Sequence, residues 1–373
     1  MIWFLLTLLV VALVIEKASL KIPLEQIKYK LEPSKRSVEQ GEVFQLNTTL
    51  YNASARNIPY VFVEEVLPAK VEIEGSDTLN LFPDGEFLLH RTTVFMRKHQ
   101  KIKRSIRVCF QERGLYRFRQ ARMNVGDALG FRQREKEFRQ SQGVVVYPGK
   151  IQDERLEHVL SDIFGEISVR SFIHEDPFLV RGYRDYTGRE PLRSISFFQS
   201  AKRNELTVKE FDHTREEVVD VIFDTSYMGN FDHYFIQLET MFSMVRTICE
   251  AFENKGVSYR LITNAYYDSM EERGVNIIQS GGSGGKSFDK ILDILGMASN
   301  AAMCRTEELL QRTYMNLSQE KEFVYVCQRR NEETEAAISR VEQRYKIKFR
   351  RLYGEDFEAA YLEEENKRKK VRL

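Results

Sequence analysis

Residues 181–226 read RGYRDYTGREPLRSISFFQSAKRNELTVKEFDHTREEVVDVIFDTS, and the expected fold turns on them. The stretch opens as an arginine-rich polar loop with two glycines, Gly182 and Gly188. It passes through a short amphipathic run (Ile195, Phe197, Phe198) to a small-residue step, Ser200-Ala201. Strands are expected at 206–208 and 218–223. The second is nearly all β-branched or aromatic, the composition of a strand covered on both faces of a parallel sheet. Asp224-Thr225-Ser226 follows it directly, at the carboxyl end where open α/β sheets place their sites. Further along, strands are expected at 258–263, 276–279, 323–327 and 347–352. Helices are expected at about 235–254, 288–298, 307–315 and 332–345. Met241, Met244, Val245, Ile248, Cys249 and Phe252 recur at helical spacing in the first of these, and Gly256 ends it. This alternation predicts a mostly parallel, doubly wound α/β domain over 181–353.

Upstream, 25–150 reads as all-β. Residues 43–51 and 60–66 alternate, Pro83-Asp84-Gly85 has turn chemistry, and strands recur at 87–95, 105–109 and 116–125. That spacing predicts a sandwich. A connector, 151–180, carries one helix near 153–164. The tail, 354–373, is an acidic helix-like run ending in Lys367-Arg368-Lys369-Lys370. Residues 1–16 contain an uncharged apolar run from Ile2 to Ile15, shorter than the roughly 20 residues of a bilayer span. A signal peptide would need a basic leader and a small-residue cleavage site. The expectation is therefore a single-pass anchor at the cell membrane, with the main body kept cytoplasmic by Lys17, Lys21, Lys28 and Lys30.

The bulk numbers exclude more than they assign. The 373 residues suffice for two domains. Lys+Arg 56 against Asp+Glu 55 gives no global field for nucleic acid, and no nucleic-acid partner is expected. Cys109, Cys249, Cys304 and Cys327 are widely spaced and read as reduced core thiols. The six histidines show no catalytic spacing with Cys, Ser or carboxylates.

Arg184, Tyr186, Gly188, Arg193, Ile195, Ser200 and Ala201, followed by an apolar strand ending in Asp224, resemble the signature of the bacterial "domain of unknown function 58" family. The match runs over about 110–350. Within it also lie Arg113-Gly114-Leu115-Tyr116, Asp127-Ala128-Leu129-Gly130-Phe131 and Val144-Val145-Val146-Tyr147-Pro148. Arg189 stands where that family usually has an acidic residue, and Ser196-Phe197 where it has an acidic or polar residue and Trp. The resemblance implies a membrane-anchored front half, a von Willebrand factor A-like domain, and work beside a MoxR-type AAA ATPase. It implies an architecture rather than a reaction, so the expected role is a non-enzymatic scaffold or adaptor.

Three constellations could carry chemistry. Asp224 and Ser226 match two positions of the Asp-x-Ser-x-Ser metal motif of von Willebrand A domains, with Asp232 and Asp268 on neighbouring loops. Met228 occupies the third position, and a thioether does not suit Mg²⁺, so no tight cofactor is expected. Residues 280–287, Ser-Gly-Gly-Ser-Gly-Gly-Lys-Ser, lie between a strand and a helix, the setting of a phosphate-binding loop. Gly285, Lys286 and Ser287 would serve the rival reading, a nucleotide- or phosphate-handling enzyme. Ser280 stands where that motif needs its first glycine, which favours a plain loop and a capped helix. The third is the organising loop itself. Its arginines either bond carboxylates such as Asp185, Glu190 or Asp212, or face a protein partner. Arg193 is expected to be the structural one and Arg184 the more exposed.

Overall fold

The computed structural model describes residues 3, 4, 6, 7, 10, 11, 24–75, 80–126, 133–173, 175–213, 218–226, 234–267, 276–280, 285–314 and 322–370. The chain divides into two compact units, residues 1–149 with 292–298, and residues 150–291 with 299–373.

The first unit is built from ten strands: β1 (Ile27–Pro33), β2 (Ser37–Val38), β3 (Phe44–Asn52), β4 (Ile58–Pro68), β5 (Val71–Glu74), β6 (Leu81–Asp84), β7 (Phe87–Met96), β8 (Lys101–Phe110), β9 (Gly114–Gly126) and β10 (Gln133–Val146). They form a four-stranded sheet, β1-β3-β8-β5, and a six-stranded one, β2-β10-β9-β4-β7-β6. Successive strand side chains point to opposite faces. In β3 this buries Phe44, Leu46, Thr48 and Leu50 on one face. One apolar cluster joins the inner faces of both sheets, with Leu46, Ile106 and Phe110 from one and Leu67, Phe118 and Val144 from the other. A charged clamp sits in the same interior. Glu65 on β4 accepts from the hydroxyls of Tyr29 (2.9 Å) and Thr48 (2.6 Å) and from Arg104 Nη2 (2.8 Å), and lies 2.8 Å from His90 Nδ1. Burial pushes the Glu65 carboxyl up; the bond with His90 and the Arg104 charge more than offset this and hold it below its ordinary range.

The second unit holds α1 (Glu154–Ile173), β11 (Glu175–Asp185), α2 (Phe197–Arg203), β12 (Thr207–His213), β13 (Val218–Phe223), α3 (Tyr234–Lys255), β14 (Ser258–Thr263), β15 (Ala265–Tyr267), β16 (Asn276–Ser280), α4 (Gly285–Met297), β17 (Ala298–Ala302), α5 (Thr306–Tyr314), β18 (Phe323–Cys327), α6 (Glu332–Tyr345), β19 (Phe349–Tyr353) and α7 (Gly354–Lys370); the last turns of α4 and the first residue of β17 group with the first unit. Its main sheet runs β16-β14-β13-β18-β19. The neighbours of β13 and β18 are parallel, while β16 pairs antiparallel with β14. The apolar stripe of α3 buries Leu238, Met241, Val245, Ile248 and Phe252, and Phe242 meets the Phe223 ring edge-on at 4.8 Å. The methionines of α3 are core. Asn331 caps α6 by accepting from Glu333 N, and three glutamates in the first turn complement the helix dipole. Gly354 opens α7 where a Cβ would stand 2.8 Å from the Gln237 carbonyl oxygen.

Two expectations are corrected. Among the described residues no helix is long and apolar enough to cross a membrane, so the expected single-pass anchor and the membrane localisation built on it are not supported. Trp3, Phe4, Leu6, Val10 and Val11 are exposed helical positions, and the rest of that run lies outside the described residues. The second correction concerns the architecture. Among the described residues strands outnumber helices, the main sheet of the second unit is mixed, and two further two-stranded sheets, β11-β12 and β15-β17, stand apart from it. A doubly wound von Willebrand A-like domain is not evident. Part of the stretch read as a polar loop is a strand: β11 pairs Gly182 to Asp185 with Glu210 to Thr207 of β12.

Candidate functional site

Asp224 emerges from the carboxyl end of β13 wholly buried. A buried carboxylate without partners would be costly, and this one is saturated. Its Oδ1 accepts from the Ser226 backbone N–H (2.9 Å) and from Asn264 Nδ2 (2.8 Å). Its Oδ2 accepts from the Thr306 hydroxyl (2.5 Å) and the Tyr325 phenol (2.6 Å). Asn264 in turn accepts the backbone N–H and hydroxyl of Thr225 at 2.9 and 3.1 Å. Four neutral donors thus occupy the roughly four acceptor positions of a carboxylate. Burial pushes the Tyr325 phenol well above its usual range, and the Asp224 charge adds to the shift. Burial, then Glu308 and Asp224, raise the Cys304 thiol to about 11. At neutral pH these groups supply neither a thiolate nor a phenolate, and the arrangement acts as an internal lock between the loops that follow β13 and β14 and the start of α5.

Ser226 lies in this lock through both its backbone N–H and its hydroxyl, which accepts from Asn264 Nδ2 at 2.9 Å and donates to Cys304 O at 3.4 Å. Met228, Asp232 and Asp268 lie outside the described residues. Among the described residues no group of three or more His, Cys, Asp or Glu could hold a metal ion. The donors present fit the carboxylate they surround and leave Mg²⁺ no open acceptor. Asn264, Thr306 and Tyr325 escape a reading of the sequence alone. One signal could have found Asn264: it follows β14 as Asp224 follows β13, and both are fully buried polar residues at the carboxyl ends of apolar strands.

The glycine-rich run is placed elsewhere. Ser280 pairs with Tyr259 near the start of β14, while Asn276 pairs with Thr263 at its end. Because β16 is antiparallel, the chain leaves it at the edge of the sheet opposite to Asp224. Residues 281–284 lie outside the described residues, and Gly285, Lys286 and Ser287 open α4. The parallel strand that leads into a phosphate-binding loop is not present before this helix.

The organising stretch folds into a ribbon and a short helix. Ser196 caps α2, accepting from Gln199 N at 3.5 Å, and Asn204 ends it in the left-handed conformation (φ 56°). The Ser200 hydroxyl donates to Ser196 O (2.8 Å) and accepts from Thr207 N (2.9 Å), which ties α2 to β12. Tyr186 N donates to Leu206 O at 2.8 Å. Gly188 has φ 88°, a conformation that favours glycine, at the tip of the turn. Arg184 Nη1 bonds Glu190 Oε1 at 2.5 Å, and Glu190 also accepts from the Thr187 hydroxyl (2.8 Å) and the Thr187 N–H (3.1 Å). The Arg184 and Thr187 bonds hold the Glu190 carboxyl down at about 2. Both arginines are exposed, and the structural role expected of Arg193 falls to Arg184. Arg184 closes the loop on itself, whereas Arg193 sits on the exposed turn 192–194 with no ion pair among the described residues. Ala201 is exposed on α2.

The same element carries an exposed apolar face. Leu192 is 74% exposed, Phe197 71%, Phe198 70% and Leu206 51%. Soluble chains scatter single exposed apolar side chains; here four lie within fifteen residues.

Comparison with known proteins gives little more. No family model matches the chain. It is similar to "Uncharacterized protein YeaD" of Bacillus subtilis (strain 168), 24% identical over 205 residues, which cover 54% of this chain and 48% of that protein. The chain thus spans about half the length of the curated relative it matches. Among solved structures, the CARDB domain of PF1109 from Pyrococcus furiosus is 13% identical with a TM-score of 0.21, covering 32% of this chain and 94% of that one. The ASH / PapD-like domain of human CEP192 is 13% identical with a TM-score of 0.19, covering 32% and 83%. At such scores neither likeness carries an argument.

Proposed function

We propose that this chain is a non-enzymatic scaffold or adaptor that engages another protein through the ribbon and short helix of 181–210. One observation carries the reading: Phe197 and Phe198, adjacent on α2, expose 71% and 70% of their surface beside Leu192 and Leu206. Aromatic anchors with arginine beside them are the composition of interface centres. The resemblance of 181–224 to the "domain of unknown function 58" signature points to a MoxR-type AAA ATPase as the partner. Titration of the purified chain against such an ATPase by sedimentation velocity tests the proposal. A complex is expected with the native chain, weakened by at least about tenfold in Phe197→Ser/Phe198→Ser while thermal melting stays unchanged. A complex indifferent to that double substitution would refute the assignment of the surface.

A further inference from the structure

We infer that the occupant of the α2 surface is a carboxylate-rich amphipathic segment of a protein. This rests on the adaptor reading and adds the chemistry of the partner. In the same stretch as the exposed Leu192, Phe197, Phe198 and Leu206 lie three cations, Arg193, Lys202 and Arg203, all exposed. Arg193 and Arg203 form no ion pair or side-chain hydrogen bond among the described residues. Lys202 lies over the Phe198 ring at 4.8 Å, so one cation already borders the apolar centre. Glu205 is the one carboxylate between Pro191 and Leu206, and Glu190 nearby is consumed by Arg184. A chain with Lys+Arg 56 and Asp+Glu 55 has no general excess of positive charge, so the local excess belongs to this face. Exposed apolar side chains interspersed with cations are complemented by a segment with apolar residues on one side and carboxylates beside them.

Two other anionic partners fit less well. Nucleic acid is held by many phosphate contacts along a basic stripe, and three cations around an apolar centre do not form one. An interfacial lipid-binding helix needs a long apolar face, whereas α2 has seven residues.

The test uses the full chain and a fluorescein-labelled peptide of two Glu-Leu-Leu-Glu-Glu-Leu-Phe heptads, read by anisotropy. Its counterpart with every Glu replaced by Lys, phosphatidylglycerol vesicles and oligo-dT are measured beside it. The acidic peptide should bind the native chain and lose at least about tenfold in affinity with Phe197→Ser/Phe198→Ser. Arg193→Glu/Lys202→Glu/Arg203→Glu should lose the acidic peptide and gain the lysine peptide. Equal binding of both peptides by the native chain, or binding of the vesicles or oligo-dT in their place, overturns the inference. The two readings also fail separately. If the ATPase complex falls with the phenylalanine variant but not with the charge reversal, the carboxylate inference is wrong and the adaptor reading stands. If neither variant weakens it, both are wrong.

Discussion

The Tyr325 phenol donates a 2.6 Å hydrogen bond to Asp224 Oδ2 where both side chains are fully buried; Asp224 follows the carboxyl end of β13, and Tyr325 stands mid-strand on its parallel neighbour β18, paired with Ile222. Asp224→Ala removes the acceptor shared by Tyr325, Thr306 and Asn264 and leaves their donors unsatisfied in the interior. The expected loss is about 3–5 kcal/mol. Tyr325→Phe removes one of four donors and should cost about 1–2 kcal/mol. Urea denaturation of the two variants measures both, and an Asp224→Ala protein as stable as the native one would show that the lock does not hold the sheet end.

The saturation of Asp224 also fixes what divalent ions do. Isothermal calorimetry of the native chain with Mg²⁺ should give no binding heat at micromolar affinity, and melting should be unmoved by millimolar Mg²⁺. A tight site lost in Asp224→Asn would mean that the four donors yield to a metal.

At the turn of the ribbon, Glu190 should titrate near 2 instead of its ordinary 4.5. A lowered carboxyl contributes stability above its ordinary value, and that contribution disappears as pH falls from about 4.5 to about 2. The clasp is thus intact at neutral pH and opens only in acid. Side-chain carboxyl ¹³C shifts followed against pH report the midpoint. Arg184→Ala should return it toward the ordinary value, and an unmoved midpoint would remove Arg184 as its cause.

The sandwich clamp is expected to be worth more than any of its surface pairs. Glu65→Ala leaves Arg104, Tyr29 and His90 without their common acceptor and should cost about 3–5 kcal/mol. Arg91→Ala, which removes a part-exposed partner of Glu64, should change stability by only about 0–1 kcal/mol. Since the Glu65 carboxyl is held below its ordinary range, its contribution is present above that range and lost in acid. Guanidinium melts of the two variants at neutral and acid pH separate them; equal losses would mean that the clamp contributes no more than a surface pair.

What is legible in the sequence follows burial. Residues 218–223, 258–263 and 323–327 are rich in β-branched and aromatic residues because they are largely covered on both sides, with Asp220 and Arg260 bonded to each other across the first two, and their limits in the sequence are their limits in the structure. The helix 332–345 is equally plain, with Asn331 and three glutamates at its start. β10 is legible only at 144–146, since most of its length forms a charged, half-exposed strand whose register breaks between Arg139 and Gln142. β11 hides for a related reason: a ribbon outside any larger sheet has no apolar face to display, so Gly182 to Asp185 reads as loop. The lock around Asp224 is assembled from 224, 264, 306 and 325, and no local spacing encodes such a set. The apolar run 2–15 suggests an anchor by its composition although it is shorter than a bilayer span.

The ribbon of β11 and β12 shares no strand with the five-stranded sheet behind it. On the proposed reading, the chain keeps its choice of partner and its ability to fold in different places. A new set of side chains at 192, 197, 198 and 206 meets no core neighbour that must be refitted, so this face is open to being recut for other partners, in a laboratory or by drift. The same independence has a converse: damage to the sandwich or to the Asp224 lock would be felt as lost protein, and damage at α2, on that reading, as a well-folded chain that has lost its company.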